Sequence, residues 1–106
     1  MRNAEHKIQM AIVRYLRAVG LFVFAVPNGG NRDAITGAYL KAEGVMAGVA
    51  HLILLLPDRC IFIEVKTPKG TQQESQKIFA EKVEKLGFSY YIWRSLDDAI
   101  KFVESL

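Results

Sequence analysis

Read for the alternation of apolar and polar positions, the chain switches several times between a helical period and a strand period. Ile8, Ile12, Tyr15, Leu16 and Val19 recur at helical spacing, which predicts an amphipathic helix with one apolar stripe about 100° wide. Asn3 is placed to cap it and Gly20 to stop it. Leu21 to Val26 is an unbroken apolar run of strand length, closed by the loop signal Pro27-Asn28-Gly29-Gly30-Asn31. Between Arg32 and Gly48 the periodicity weakens; Tyr39-Leu40-Lys41 fits a short helix, and Gly44 and Gly48 mark loop geometry. Val49–Leu56 and Cys60–Lys66 read as strands joined through Pro57-Asp58-Arg59, so an antiparallel hairpin is expected. Thr71-Gln72-Gln73-Glu74 has the form of a capping box, opening a helix whose apolar residues Phe79, Ala80, Val83 and Leu86 end at Gly87. Phe88 to Trp93 predicts a further strand, and Ser95 caps a last helix carrying Leu96, Ile100 and Val103.

The order is therefore α-β-(short α)-β-β-α-β-α, an α/β domain with a small mixed β-sheet flanked by helices. No internal repeat, low-complexity tract or linker interrupts it, so residues 1–106 form one domain. At 51% hydrophobic residues the composition excludes a disordered chain. No apolar run approaches the roughly 18 residues of a membrane span, and Glu5 and His6 stand where a secretory leader would turn apolar. A cytoplasmic protein without membrane contact is the expectation. The single Cys60 supplies neither an internal disulfide nor a thiolate zinc cluster. With 14 Lys+Arg against 11 Asp+Glu, the net charge of +3 permits a nucleic-acid partner without requiring one.

Four polar features break the apolar pattern. Glu5 falls inside the stripe of the first helix, His51 interrupts the apolar run of the second strand, and Gln76 projects onto the stripe of the helix after the hairpin. In Ile61-Phe62-Ile63-Glu64-Val65-Lys66, strand periodicity puts Ile61, Ile63 and Val65 on one face, with Cys60, Phe62, Glu64 and Lys66 on the other. Acidic side chains are rarely buried unless paired or bound to a metal. A metal-dependent hydrolytic site would explain all four together. A hard divalent cation takes carboxylate and carbonyl oxygens, and a lysine beside it can orient or deprotonate water and offset charge on a phosphorane-like transition state.

These residues carry a resemblance. Glu5 in the first helix, Val26-Pro27-Asn28-Gly29-Gly30, Gly44-Val45 through Gly48-Val49-Ala50-His51-Leu52, Ile63-Glu64-Val65-Lys66 and Gln76-Lys77 resemble, in order, the virus-type replication-repair nuclease (VRR-NUC) family of the PD-(D/E)XK superfamily. The likeness runs from Glu5 to the last helix and implies a restriction-endonuclease-like fold. It further implies a Mg²⁺- or Mn²⁺-dependent DNA endonuclease acting on branched DNA, four-way junctions or flaps, often as a homodimer, with no small-molecule cofactor. Carried over, Glu64 is a metal ligand, Lys66 the water-positioning lysine, Glu5 an accessory acid near the metal and Gln76 a polar residue that supports the site or the scaffold around it, with Val65 lending its carbonyl to the ion. The chain departs from the family where Pro-Asp is usual and Ala50-His51 stands instead. Imidazole is a poor ligand for Mg²⁺, though acceptable for Mn²⁺, so His51 at the metal implies impaired or absent turnover.

Each residue also has a plain structural reading: Glu64 and Lys66 as a solvated pair, His51 as a hydrogen-bonded histidine, Glu5 as a partner of the helix dipole, Gln76 as a backbone cap. Arg14, Arg17, Asn28, Arg32, Lys41, Lys69 and Lys77 are candidates to line a groove for phosphates. Tyr39 and Trp93 have the shape to stack on a base, a use that competes with packing. A domain this small has little surface to hold a branched duplex, and paired incisions need two sites about a twofold axis, which favours a homodimer. A silent homologue that binds junctions or serves as a dimeric scaffold, and a different PD-(D/E)XK branch, remain the alternative readings.

Overall fold

One sheet with two differently used apolar faces organises the molecule. The computed structural model describes residues 2–27 and 33–106. Its elements run α1 (Arg2–Ala18), β1 (Phe22–Ala25), α2 (Ala34–Ala42), β2 (Leu52–Leu56), β3 (Arg59–Val65), α3 (Glu74–Lys85), β4 (Ser89–Trp93) and α4 (Leu96–Glu104). The strands lie in the order β1-β2-β3-β4. The β1–β2 and β2–β3 pairs are antiparallel and β3–β4 is parallel, so the sheet is mixed. A tight turn suffices for the hairpin, whereas a parallel pair needs a long crossover, which α3 supplies.

The expected alternation in β3 holds. Ile61, Ile63 and Val65 join Val23, Leu52, Leu54 and Trp93 against Ile12 and Leu16 of α1 and Ala99 of α4. Each of the buried Val, Leu and Ile side chains contributes about 1.5–3 kcal/mol on burial. On the opposite face Phe62 meets Phe79 of α3 and Phe88 edge to face, and Phe79 meets Tyr90. Glu64 lies on this second face, because it follows Phe62 by one strand period. Among the described residues no helix is long and apolar enough to cross a membrane.

The boundaries differ from the sequence expectation in ways that bear on the site. The first turn of α1 reaches back to Arg2, leaving Asn3 inside the helix instead of at its cap. The short helix is longer than expected, capped by the Asp33 carboxylate on the Thr36 amide, and none of its residues is buried. Strand β2 begins at Leu52, three residues later than its apolar run. Pairing with β3 stops there because the His51 side chain takes the Val65 amide that a longer ladder would have used, while the Val26 amide still donates to the His51 carbonyl. Helix α3 is capped at Gln73, not Thr71: the Gln76 carbonyl oxygen accepts from the Gln73 amide at 2.8 Å. Ser95 caps α4 as expected, its hydroxyl accepting from the Asp98 amide.

Gly48 joins these segments. Its φ of +85° lies in the left-handed region, and a Cβ there would run into the Ser75 carbonyl and stand 2.9 Å from the Gln76 nitrogen. Only glycine lets the loop before β2 lie this close to the first turn of α3. That approach brings His51 and Gln76 to the same end of β3.

Candidate functional site

Glu64 is the centre of the polar cluster. Its side chain is fully buried at the end of β3, and its Oε2 is the focus of three neighbours. The Gln76 amide nitrogen donates to it at 2.7 Å, His51 Nδ1 lies at 3.2 Å and Lys66 Nζ at 3.8 Å. Lys66 is itself almost wholly buried, so the pair is not the solvated surface pair its plain reading suggested. The second oxygen, Oε1, is buried without a hydrogen-bond partner among the described residues. Gln76 has both ends occupied, one on Glu64 and one on the Gln73 amide, which fixes its orientation and spaces α3 from β3.

His51 bridges two elements. Its Nδ1 accepts the Val65 amide at 2.9 Å, and its Nε2 faces Glu5 Oε1 of α1 at 3.4 Å. A ring nitrogen that accepts must carry a lone pair, so the neutral ring holds its proton on Nε2, turned toward Glu5. Burial pushes the imidazole pKa down and Lys66 pushes the same way, while Glu5 opposes them. The neutral tautomer is therefore the one the fold favours.

That leaves Nδ1 and Glu64 Oε2 as two acceptors facing each other, an arrangement relieved when Glu64 holds a proton. The pKa of Glu64 agrees: burial raises it from 4.5 to about 7, Lys66 opposes the rise, Glu5 adds to it, and the Tyr90 hydroxyl beside it lowers it slightly. Tyr90 is pushed up to about 12 by burial and by Glu64. Its hydroxyl also accepts from the Gln72 side chain at 3.2 Å.

The donor set can be tested against a divalent cation. The unpartnered Glu64 oxygen and the half-exposed Glu5 carboxylate suit a hard ion. His51 does not: with Nδ1 committed to the Val65 amide and the proton on Nε2, neither nitrogen offers a free lone pair. Among the described residues no group of three or more His, Cys, Asp or Glu side chains is placed to hold a metal ion. As arranged, then, the residues do not fit the cation that the resemblance implies. His51 takes the role of an internal bridge in place of the expected ligand, and Val65 enters the cluster through its amide.

The candidate phosphate-binding residues scatter. Lys69 is exposed in the loop between β3 and α3, and Lys77 is exposed one residue beyond Gln76. Lys41 lies at the end of α2, beside a hollow shared with Leu40, Gly44 and Met46. Arg14 lies on the flank of α1 with His6, Gln9, Val13 and Arg17, about two and a half turns along from Glu5 and on the opposite side of the helix, so it does not join the cluster. Arg17 donates to the Val23 carbonyl and ties α1 to β1. Trp93 is buried in the core and Tyr39 is exposed on α2. Asn28 and Arg32 lie outside the described residues.

Sequence reading missed two contributors. Tyr90 reaches Glu64 only because β4 pairs parallel with β3 and sets Tyr90 opposite Phe62 on the same face. Arg94 leaves the end of β4, and its Nη1 donates to the carbonyls of Thr67 at 2.8 Å and Gly70 at 2.6 Å, with Pro68 at 3.4 Å. A cation directly between a strand and a helix cap was the available signal for Arg94; Tyr90 offered none.

No protein-family model and no curated protein matches the chain. Solved structures do. A structure named VRR_NUC domain superposes with a TM-score of 0.71 at 21% identity, covering 95% of each chain. A second, named VRR_NUC domain protein, gives a TM-score of 0.78 at 19% identity over 96% of this chain and 86% of its own. With the mixed sheet, the crossover helix and the Glu64 cluster at the strand end in place, the chain has the fold of the VRR_NUC domain along nearly its whole length.

Proposed function

We propose that this nuclease-fold chain engages branched DNA, a four-way junction or a flap, through the Glu64–Lys66 end of β3, and that hydrolysis is suppressed in it by His51. The observation that carries the reading is the His51 bridge: one imidazole spans the Val65 amide and Glu5 beside a buried Glu64 whose pKa burial raises to about 7. In this reading Lys66, at 3.8 Å from Glu64, meets a phosphate oxygen as a point charge, and the exposed Lys69 and Lys77 add phosphate contacts. Two such chains about a twofold axis would address the symmetric arms of a junction.

An aspartate at position 51 would change the chemistry. It frees the Val65 amide from the imidazole and adds a second carboxylate beside Glu64. The expected result is that the wild-type chain binds a synthetic four-way junction and leaves it intact, or nearly so, in Mg²⁺ or Mn²⁺, whereas His51→Asp cuts it. His51→Asp should also gain a melting-temperature increase with added Mn²⁺ that the wild type lacks. A folded His51→Asp protein that binds the junction, shows no Mn²⁺ response and cuts nothing refutes the hydrolytic ancestry of the site. The chain would then be a junction-binding or scaffolding protein, the reading that the committed Nδ1 also favours.

A further inference from the structure

The segment from Thr67 to Gln73 connects Lys66 to the first turn of α3 and carries exposed Lys69. It contributes no residue to the buried core, so its shape must come from polar contacts. A turn bond from the Gly70 amide to the Thr67 carbonyl at 3.0 Å closes it locally. The remaining anchors come from β4 and the residue that follows it. Arg94 gathers the Thr67, Pro68 and Gly70 carbonyls on one guanidinium nitrogen, and Tyr90 receives the Gln72 side chain. Arg94 is itself held at its amide by Asp98 Oδ2 at 2.8 Å, the acid of the α4 cap. The Trp93 carbonyl accepts from the Lys66 amide at 3.0 Å, which sets the start of the segment against the same strand end.

We propose that Arg94 is a positioning residue of the DNA-binding surface. It holds the Thr67–Gly70 turn that carries Lys69, three residues beyond Lys66, and it ties this geometry to the cap of α4. Its Nη1 is committed to protein carbonyls, and the role assigned to it is to shape the turn that carries Lys69. Lysine does not replace it: its ammonium stands one bond short of the position of Nη1, on a flexible stem, and so does not reach the three carbonyls together. The inference rests on the reading that DNA binds at this end of β3.

Two measurements on the full chain test it, with Arg94→Lys and Arg94→Gln as variants. The first is amide exchange without DNA. The Gly70 amide should exchange at least about tenfold faster in both variants while the amides of Ile61 and Ile63 keep their wild-type rates. The second is affinity for a synthetic four-way junction in EDTA at low salt. Both Arg94 variants should weaken it alike, although Arg94→Lys keeps the charge, and Lys69→Ala should cost at least about twofold less in the Arg94→Gln background than in the wild type. Unchanged exchange at Gly70, or additive effects of Lys69→Ala and Arg94→Gln, overturns the role of Arg94. Faster exchange at Gly70 in a chain whose wild type does not bind the junction overturns the DNA reading instead, and with it the functional part of the proposal.

Discussion

Replacing Glu64 by glutamine tests whether its burial, and not a surface charge pair, governs the site. In the folded chain the carboxyl titrates near 7, against 4.5 when free, with burial as the main cause. An acid whose folded pKa is raised keeps its proton in the native state while the unfolded chain has already lost it. Stability from this group is thus fully present below about pH 4.5 and is lost as pH rises through about 7. The gap corresponds to about 3 kcal/mol, at 1.36 kcal/mol per tenfold change in proton affinity. Glutamine preserves the shape and cannot titrate. Urea unfolding in EDTA, followed through the single, buried Trp93, gives the stability of both proteins at each pH. The difference between wild type and Glu64→Gln should change by about 3 kcal/mol between about pH 4.5 and about pH 8.5, against the wild type at the alkaline end. Constant offsets, such as the altered partnership of Lys66, cancel in that comparison. Parallel stability profiles across the range would refute the burial account and place Glu64 in a solvated setting.

Two further outcomes follow from the packing around it. Gly48→Ala forces a side chain into the Ser75 carbonyl at a positive φ; we expect a loss of at least about 2 kcal/mol in denaturant unfolding, whereas Gly20→Ala, with open space around it, should pay only the conformational cost of about 1 kcal/mol. Gln76→Leu removes the donor to Glu64 and the acceptor for the Gln73 amide, so a loss of about 2 kcal/mol is expected. It should also raise the Glu64 pKa further, which nuclear magnetic resonance titration of the Glu64 carboxyl carbon would read directly; an unchanged titration would show that Gln76 does not bind the ionised form.

What could be read from the chain alone follows from periodicity. Alternation in Ile61–Lys66 assigned Glu64 and Lys66 to the face opposite the main core, and the apolar runs, glycines and Ser95 cap marked the elements in order. Those signals are local, since each depends on residues a few positions apart. Glu5, His51, Glu64 and Gln76 stood out because a small core leaves few reasons for polar residues on apolar faces. Their meeting was not local. His51 joins Glu5 and Val65 across contacts from three separate segments, and Gln76 meets Glu64 because Gly48 lets a loop lie against α3. The tautomer of His51, the burial of Lys66, and the parts played by Tyr90 and Arg94 are equally products of tertiary structure. They depend on which backbone amide or carbonyl arrives at hydrogen-bonding distance, and a three-ångström coincidence between residues far apart in sequence leaves no trace in the pattern of any one segment. The sequence by itself determined which residues were available for chemistry; the folded chain decided that the histidine bridges the Val65 amide and the Glu5 carboxylate.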